Sequence, residues 1–438
     1  MAEAAAAGAD VPSHHGKVGV LGAAALVAGS MVGSGVYLLP ATFGAVGSIS
    51  ILGWGAAMMA ALAIAGMFAW LSKAAPEATG LGGYVQAGLG RFFGVQTAVA
   101  FWTLCWIGNV AVALAVVGAG AFLVPGLNEP GPRLATTLAA VWFAVGVSWV
   151  GPRAVARLEG FTLGIGLLPV VLVAIVGWFW FQPEVFLASW NPQGLAVGEA
   201  VGRSALTAFW AFLGLECAAA AAGVVRDPSR NVPRATLIGV VGVAALYIAA
   251  TSVVMGIIPG ARLAGSTAPF ADAAQATLGL ALGAAIAVCA LLRAAGCLTG
   301  WTLVTAETTR SAADVGVFPA FFRTRPGERA SPVNLLTAGV LMTLVAVLTA
   351  TPTLGEQFGT LANMAVLLAL YCYILAGASL TRLARGFENG RRVAAMATAG
   401  LAIACALALI AQAKPLELGL AVVPLAGAGL LYLWLRRR

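Results

Sequence analysis

Apolar residues fill this chain in long runs, not in the short alternations of a water-soluble core. The runs lie near residues 18–43, 49–72, 93–124, 134–151, 160–182, 197–225, 235–259, 277–309, 333–351, 358–381, 394–413 and 417–435. Each suits a helix crossing the bilayer, which needs roughly 20 apolar residues. The pattern predicts an all-α polytopic membrane protein with twelve transmembrane helices and both ends on one side. Polar residues gather in short connections, none long enough for a soluble domain.

Composition sharpens this reading. Of 438 residues, 61% are hydrophobic and 9% charged, against about 25% charged in soluble domains. Lipid is the solvent that such a surface suits. Residues 1–16, with His14 and His15, read as a polar tail. The run from Val18 outlasts a signal-peptide core and has no cleavage pattern, so it reads as the first span. Cys105, Cys217, Cys289, Cys297, Cys372 and Cys405 all fall in apolar runs without metal-ligand spacing. No metal and no cofactor is expected. No P-loop and no nucleophile–base pair is visible, so neither an ATPase nor an enzyme of another kind is expected.

Charge gives the orientation. Lys73, Arg91, Arg153, Arg157, "RDPSRNVPR" (226–234), "RTRPGER" (323–329) and "RLARGFENGRR" (382–392) alternate with connections that hold only Arg133, Arg203, Arg262 and Lys414. With the ends included, one side carries 19 of the 24 basic residues. Basic residues stay in the cytoplasm, so both termini are expected there. The net charge of +8 is then explained without nucleic acid.

Two spans contain residues that weaken helices. "GSMVGSGVYLLP" (29–40) sets Gly29, Ser30, Gly33, Ser34 and Gly35 inside the first, and "AFWAFLGLECAAA" (208–220) sets Gly214 and Glu216 inside the sixth. Unwound backbone survives in lipid only where protein shields it or it lines a cavity. A broken helix there offers amide donors and a positive dipole end to a carboxylate. The alternative for the first stretch is close packing of helices through small residues. Breaks five spans apart fit two inverted halves, residues 17–182 and 183–381, followed by two more helices in 382–438.

Taken together, "GSGVYLLP", "CWIGN" (105–109), "WAFLGLE" (210–216), "RNVP" (230–233), "GW" (300–301) and "SAAD" (311–314) resemble the amino acid–polyamine–organocation (APC) superfamily. The nearest resemblance is to its basic amino acid/polyamine antiporters of the arginine/agmatine type, over residues 17–380. It implies a LeuT-type five-plus-five inverted repeat with helices 1 and 6 unwound, alternating access, and location in the bacterial inner membrane. It further implies a small amino acid or amine substrate, proton coupling and homodimers. Carried over by position, Gly33, Ser34 and Gly35 would meet the substrate carboxylate. Ser30, Cys105, Asn109, Leu213 and Ala365 would line the pocket, Trp301 would stack on the side chain, and Trp210 would close over it. Glu216, Tyr373 and Phe101 would form the gate and proton-coupling group.

Individual residues carry their own physics. An indole face attracts a cation by roughly 0.5–2 kcal/mol, although Trp also serves as a packing or interfacial residue. A carboxylate in the membrane costs at least ~2.5–3.5 kcal/mol, so Glu216 must be protonated, paired or wet, as a proton carrier or as a tie between helices. Arg293 departs from the antiporter pattern. At about 100° per residue, it shares a stripe with Cys297, Gly300 and Glu307, and Trp301 lies beside it. It could neutralise Glu216, bind a substrate carboxylate, or form a purely structural pair, with Glu307 as the internal candidate. Phe101 stands where a gate hydroxyl is expected, Gln86 where polyamine exchangers can carry an acid, and Leu104 and Ala365 make the pocket apolar. Exchange of cationic amino acids leads. Uptake or exchange of neutral or acidic amino acids, with Arg293 near the pocket, is the alternative. A receptor or channel is the reading from another class.

Overall fold

Backbone polar groups cannot stay unpaired in hydrocarbon, and this chain meets that demand with helices. The computed structural model describes residues 19–33, 35–78, 80–216, 225–226, 228–323, 331–350 and 353–436. Ser34, Cys217 and the tail with His14 and His15 lie outside these residues.

Seventeen α-helices occur among the described residues. The first span is a pair, α1 (Val20–Met31) and α2 (Gly35–Gly44), bent by 55°. Next come α3 (Ser50–Ala74), the short α4 (Gly80–Leu89), α5 (Arg91–Leu123), α6 (Pro130–Val150) and α7 (Pro152–Val176). The short α8 (Pro183–Ala188) leads to α9 (Val197–Phe209) and a 3-10 turn, Trp210–Phe212. Then follow α10 (Pro228–Ile257), short α11 (Gly260–Ala264) and α12 (Pro269–Leu278), and α13 (Leu280–Asp314). The chain ends with α14 (Pro332–Leu348), α15 (Leu354–Leu383), α16 (Asn389–Ile410) and α17 (Pro415–Arg436). Helices α6, α7, α12 and α14 each begin on proline. At that position the missing N–H would have had no partner in any case.

Nine of these helices are long and apolar enough to cross a bilayer, and the bent pair makes ten. The other two expected spans are α14, with 17 residues, and α9, with 13 residues that run into the second break. The protein is an integral membrane protein. Its fifth span starts at Pro152, earlier than the apolar run at 160 suggests, so Glu159 belongs to a helix and not to a connection.

Burial sorts the helices into layers. In the apolar stretches of α5 and α15, 78% of residues are buried, against 28% in α16 and 11% in α17. Helices α5 and α15 therefore form the centre, with α13 packed on α5. The last two helices face outward, showing Leu401, Leu407, Val423 and Leu430. One polar line crosses from this rim inward. Buried Glu417 of α17 accepts from the Lys414 backbone N–H (3.0 Å) and from Asn363 Nδ2 (3.0 Å). Asn363 Oδ1 in turn accepts from Thr207 of α9 (3.1 Å), one turn before the second break.

Candidate functional site

Breaking a helix frees carbonyls at the end of one half and amides at the start of the next. At the first break, neighbouring helices supply the missing donors. Tyr247 of α10 donates its hydroxyl to Met31 O (3.3 Å), and Arg293 Nη2 of α13 donates to Val32 O. The amide end belongs to α2, whose Gly35 and Val36 face a cavity.

At the second break the 3-10 turn continues into a turn over residues 213–216. Gly214 has φ +101°, a backbone conformation that favours glycine. Its N–H donates to Glu216 Oε2 (3.2 Å), and the same oxygen accepts from Tyr373 Oη (2.7 Å). Glu216 thus folds back over its own break, and Tyr373 of α15 fixes it there.

The two breaks touch. Ser30 Oγ lies 2.8 Å from Val27 O and 3.1 Å from Gly214 O, so its proton is shared between the broken ends. A Cβ on Gly214 would fall 2.6 Å from Ser30 O. A Cβ on Gly35 would run into the Trp210 indole. Glycine at both positions lets the backbones and the ring approach this closely.

Between the breaks lies a cavity. Its lining brings together Ser30, Gly33, Gly35, Cys105, Asn109, Trp210, Leu213 and Trp301, with Leu104 and Tyr247. Among the described lining residues none is charged. Asn109 donates Nδ2 to Thr305 Oγ1 (3.2 Å), which leaves its buried Oδ1 without a partner among the described residues. Two tryptophans and an asparagine therefore line a largely apolar space.

The remaining candidates lie elsewhere. Ala365 is fully buried behind Gly108, beside the Trp210 ring. Phe101, Gln86 and Glu307 line a second, wider opening with Glu77 and Arg310. There Glu307 pairs with Arg310 (2.7 Å), and Arg310 also reaches Asp314 (2.9 Å). Arg293 is 2% exposed and is not among the residues lining the first cavity. Its observed partner, the Val32 carbonyl, was not among the partners weighed from the sequence. Tyr247 and Glu159 also escaped sequence reasoning. Tyr247 acts on a backbone oxygen that no side-chain pattern reveals. Glu159 sits seven residues before Gly166 on α7, a two-turn spacing that could have flagged it.

One span bent at its centre and a helix that ends in a turn over residues 213–216, hydrogen-bonded to each other beside a cavity with no charged residue in its described lining, suit a membrane carrier of the discontinuous-helix class. The sequence model of the amino acid permease family matches residues 18–425, and the chain belongs to that family. It is 34% identical over 373 residues to the putrescine transporter PotE of Haemophilus influenzae, covering 85% of this chain and 86% of that protein. With PotE of Escherichia coli K12 the identity is 34% over 364 residues, 83% of each chain. With the cadaverine/lysine antiporter of the same strain it is 35% over 374 residues, 84% of this chain and 83% of that protein.

Proposed function

We propose that this permease exchanges a cationic amino acid for an aliphatic amine by alternating access, with its substrate in the cavity between the two breaks. One observation carries the reading: Trp210, Trp301 and Asn109 line the same cavity, and no described residue of its lining is charged. An ammonium group is attracted to indole faces, and Asn109 adds a polar side chain to the wall. The amide end of α2 at Gly35, with Gly33 and Ser34, takes the carboxylate of an amino acid. The relatives carry putrescine, cadaverine and lysine by name, which fits a cavity open to molecules with and without a carboxylate. Glu216 and Tyr373 serve as the gate and proton-coupling pair. Residues 17–182 and 183–381 are the inverted halves, and both termini lie on the cytoplasmic side of a bacterial inner membrane. We assign a homodimer as the assembled form.

A second reading rests on the same lining. Leu104, Val112 and Leu213 make much of the cavity apolar, which suits a neutral amino acid.

Counterflow separates the two readings. Proteoliposomes loaded with unlabelled lysine or putrescine should take up labelled putrescine faster than empty ones. If alanine inside accelerates labelled alanine while the cations neither enter nor compete, the cationic reading falls. Trp301→Ala should weaken diamine binding about 2- to 30-fold, the range that a cation–π contact of roughly 0.5–2 kcal/mol implies. Equilibrium binding of labelled putrescine measures this, and an unchanged Kd would remove Trp301 from the site.

A further inference from the structure

Arg293 carries a buried charge that the substrate cavity does not use. Its stem packs against Gly166 of α7, and its Nη2 donates to Val32 O, but Nε and Nη1 have no partner among the described residues. No ion pair within 4.0 Å joins it to a described carboxylate. A guanidinium has five N–H donors, so more than half of this group's bonding capacity is unspent in a place where an uncompensated charge is strongly destabilising.

The acid that could answer it stands on the same seam. Helices α7 and α13 run antiparallel, with Gly166 against Arg293, Thr162 against Gly296 and Glu159 against Gly300. The Glu159 Oε2 lies 2.6 Å from where a Gly300 Cβ would fall. Glu159 and Arg293 are thus two helical turns apart, about 10 Å along the axis. Both have long side chains, and they lie within Coulombic reach of each other. Tyr37 and Tyr247 also face Arg293, but their hydroxyls already donate to Gly166 O and Met31 O. Cys297 of α13 sits beneath Gly33 of the break, and Gly29 of α1 abuts Leu163 of α7. The carbonyl end of α1 therefore holds the guanidinium, and the Glu159 carboxylate lies two turns further along the same seam.

We propose that Glu159 and Arg293 are positioning residues for transport: Arg293 holds the first break through Val32 O in the arrangement seen here, and passes to Glu159 when α1 withdraws. The Val32 carbonyl can leave only if the buried cation finds another acceptor. Glu159 supplies it and so lowers the barrier between the two arrangements, without touching the ligand. This role rests on the carrier reading above.

The test uses the full chain in proteoliposomes, with exchange and equilibrium binding of labelled putrescine and lysine measured on the same preparation. Glu159→Gln should slow exchange about tenfold or more while Kd stays within about twofold, and Glu159→Asp should recover part of the rate. A purely structural role would not divide rate from affinity in this way. Exchange by Glu159→Gln within about twofold of wild type, or equal losses of rate and affinity, would overturn the proposal. Hydrogen exchange supplies a readout independent of transport. Amides of residues 27–36 should exchange about tenfold faster in Arg293→Gln and stay protected in Arg293→Lys. Equal protection in Arg293→Gln and wild type would also overturn it. Wild-type protein that neither binds nor exchanges any of the ligands removes the carrier reading itself, an outcome distinct from a wild type that exchanges alongside an equally fast Glu159→Gln.

Discussion

Exchange by a Gly214→Ala variant is expected to fall about 100-fold, through two effects that add to roughly 3 kcal/mol. The first is conformational. Gly214 sits at φ +101°, and a residue with a Cβ held outside its favoured regions costs of order 1–3 kcal/mol. The second is steric. The new methyl would fall 2.6 Å from Ser30 O, so the broken ends must separate and the Ser30 hydroxyl must give up Gly214 O. Labelled exchange at matched protein density, with binding measured alongside, checks this. Exchange within threefold of wild type would mean that the breaks need not touch.

Glu216→Gln is expected to slow exchange about 10- to 100-fold, since a hydrogen bond to a charged group is worth roughly 1.5–3 kcal/mol. In the native arrangement one carboxylate oxygen accepts from both Tyr373 Oη (2.7 Å) and Gly214 N–H (3.2 Å). A carboxamide offers one weaker acceptor, and its NH₂, turned the other way, opposes the Gly214 donor. If the carboxylate takes up and releases a proton in each cycle, its neutral replacement removes that step. Initial exchange rates across a series of pH values should then give a flatter profile than wild type. A reduced rate with an unaltered profile would leave Glu216 as a brace for the break and nothing more.

The sequence declares both breaks because their cause is local. Gly33 and Gly35 beside two serines, and Gly214 two residues ahead of an acid, are visible one residue at a time. The cavity wall is legible only through the family resemblance, which puts Cys105, Asn109 and Trp301 in the pocket by position, where they lie. The partners of Arg293 are not legible. Its observed acceptor is a backbone oxygen, which every residue type offers alike. Hydropathy also misplaces the start of the fifth span, because Arg153, Arg157 and Glu159 make its first turns polar, although Pro152 begins the helix. Phe101 and Glu307 share helices with cavity residues but line a second space, since one face of a helix serves different hollows along its length.

The outermost helix has a part in events at the centre. Most of α17 behaves as a mast standing in lipid, where one aliphatic residue serves nearly as well as another. Glu417 is different, because through Asn363 and Thr207 it acts as a guy-line to α9, which ends at Phe209. Slackening that line would free the half-helix to tilt, so a rim position that meets no ligand bears on how steadily the hollow keeps its shape.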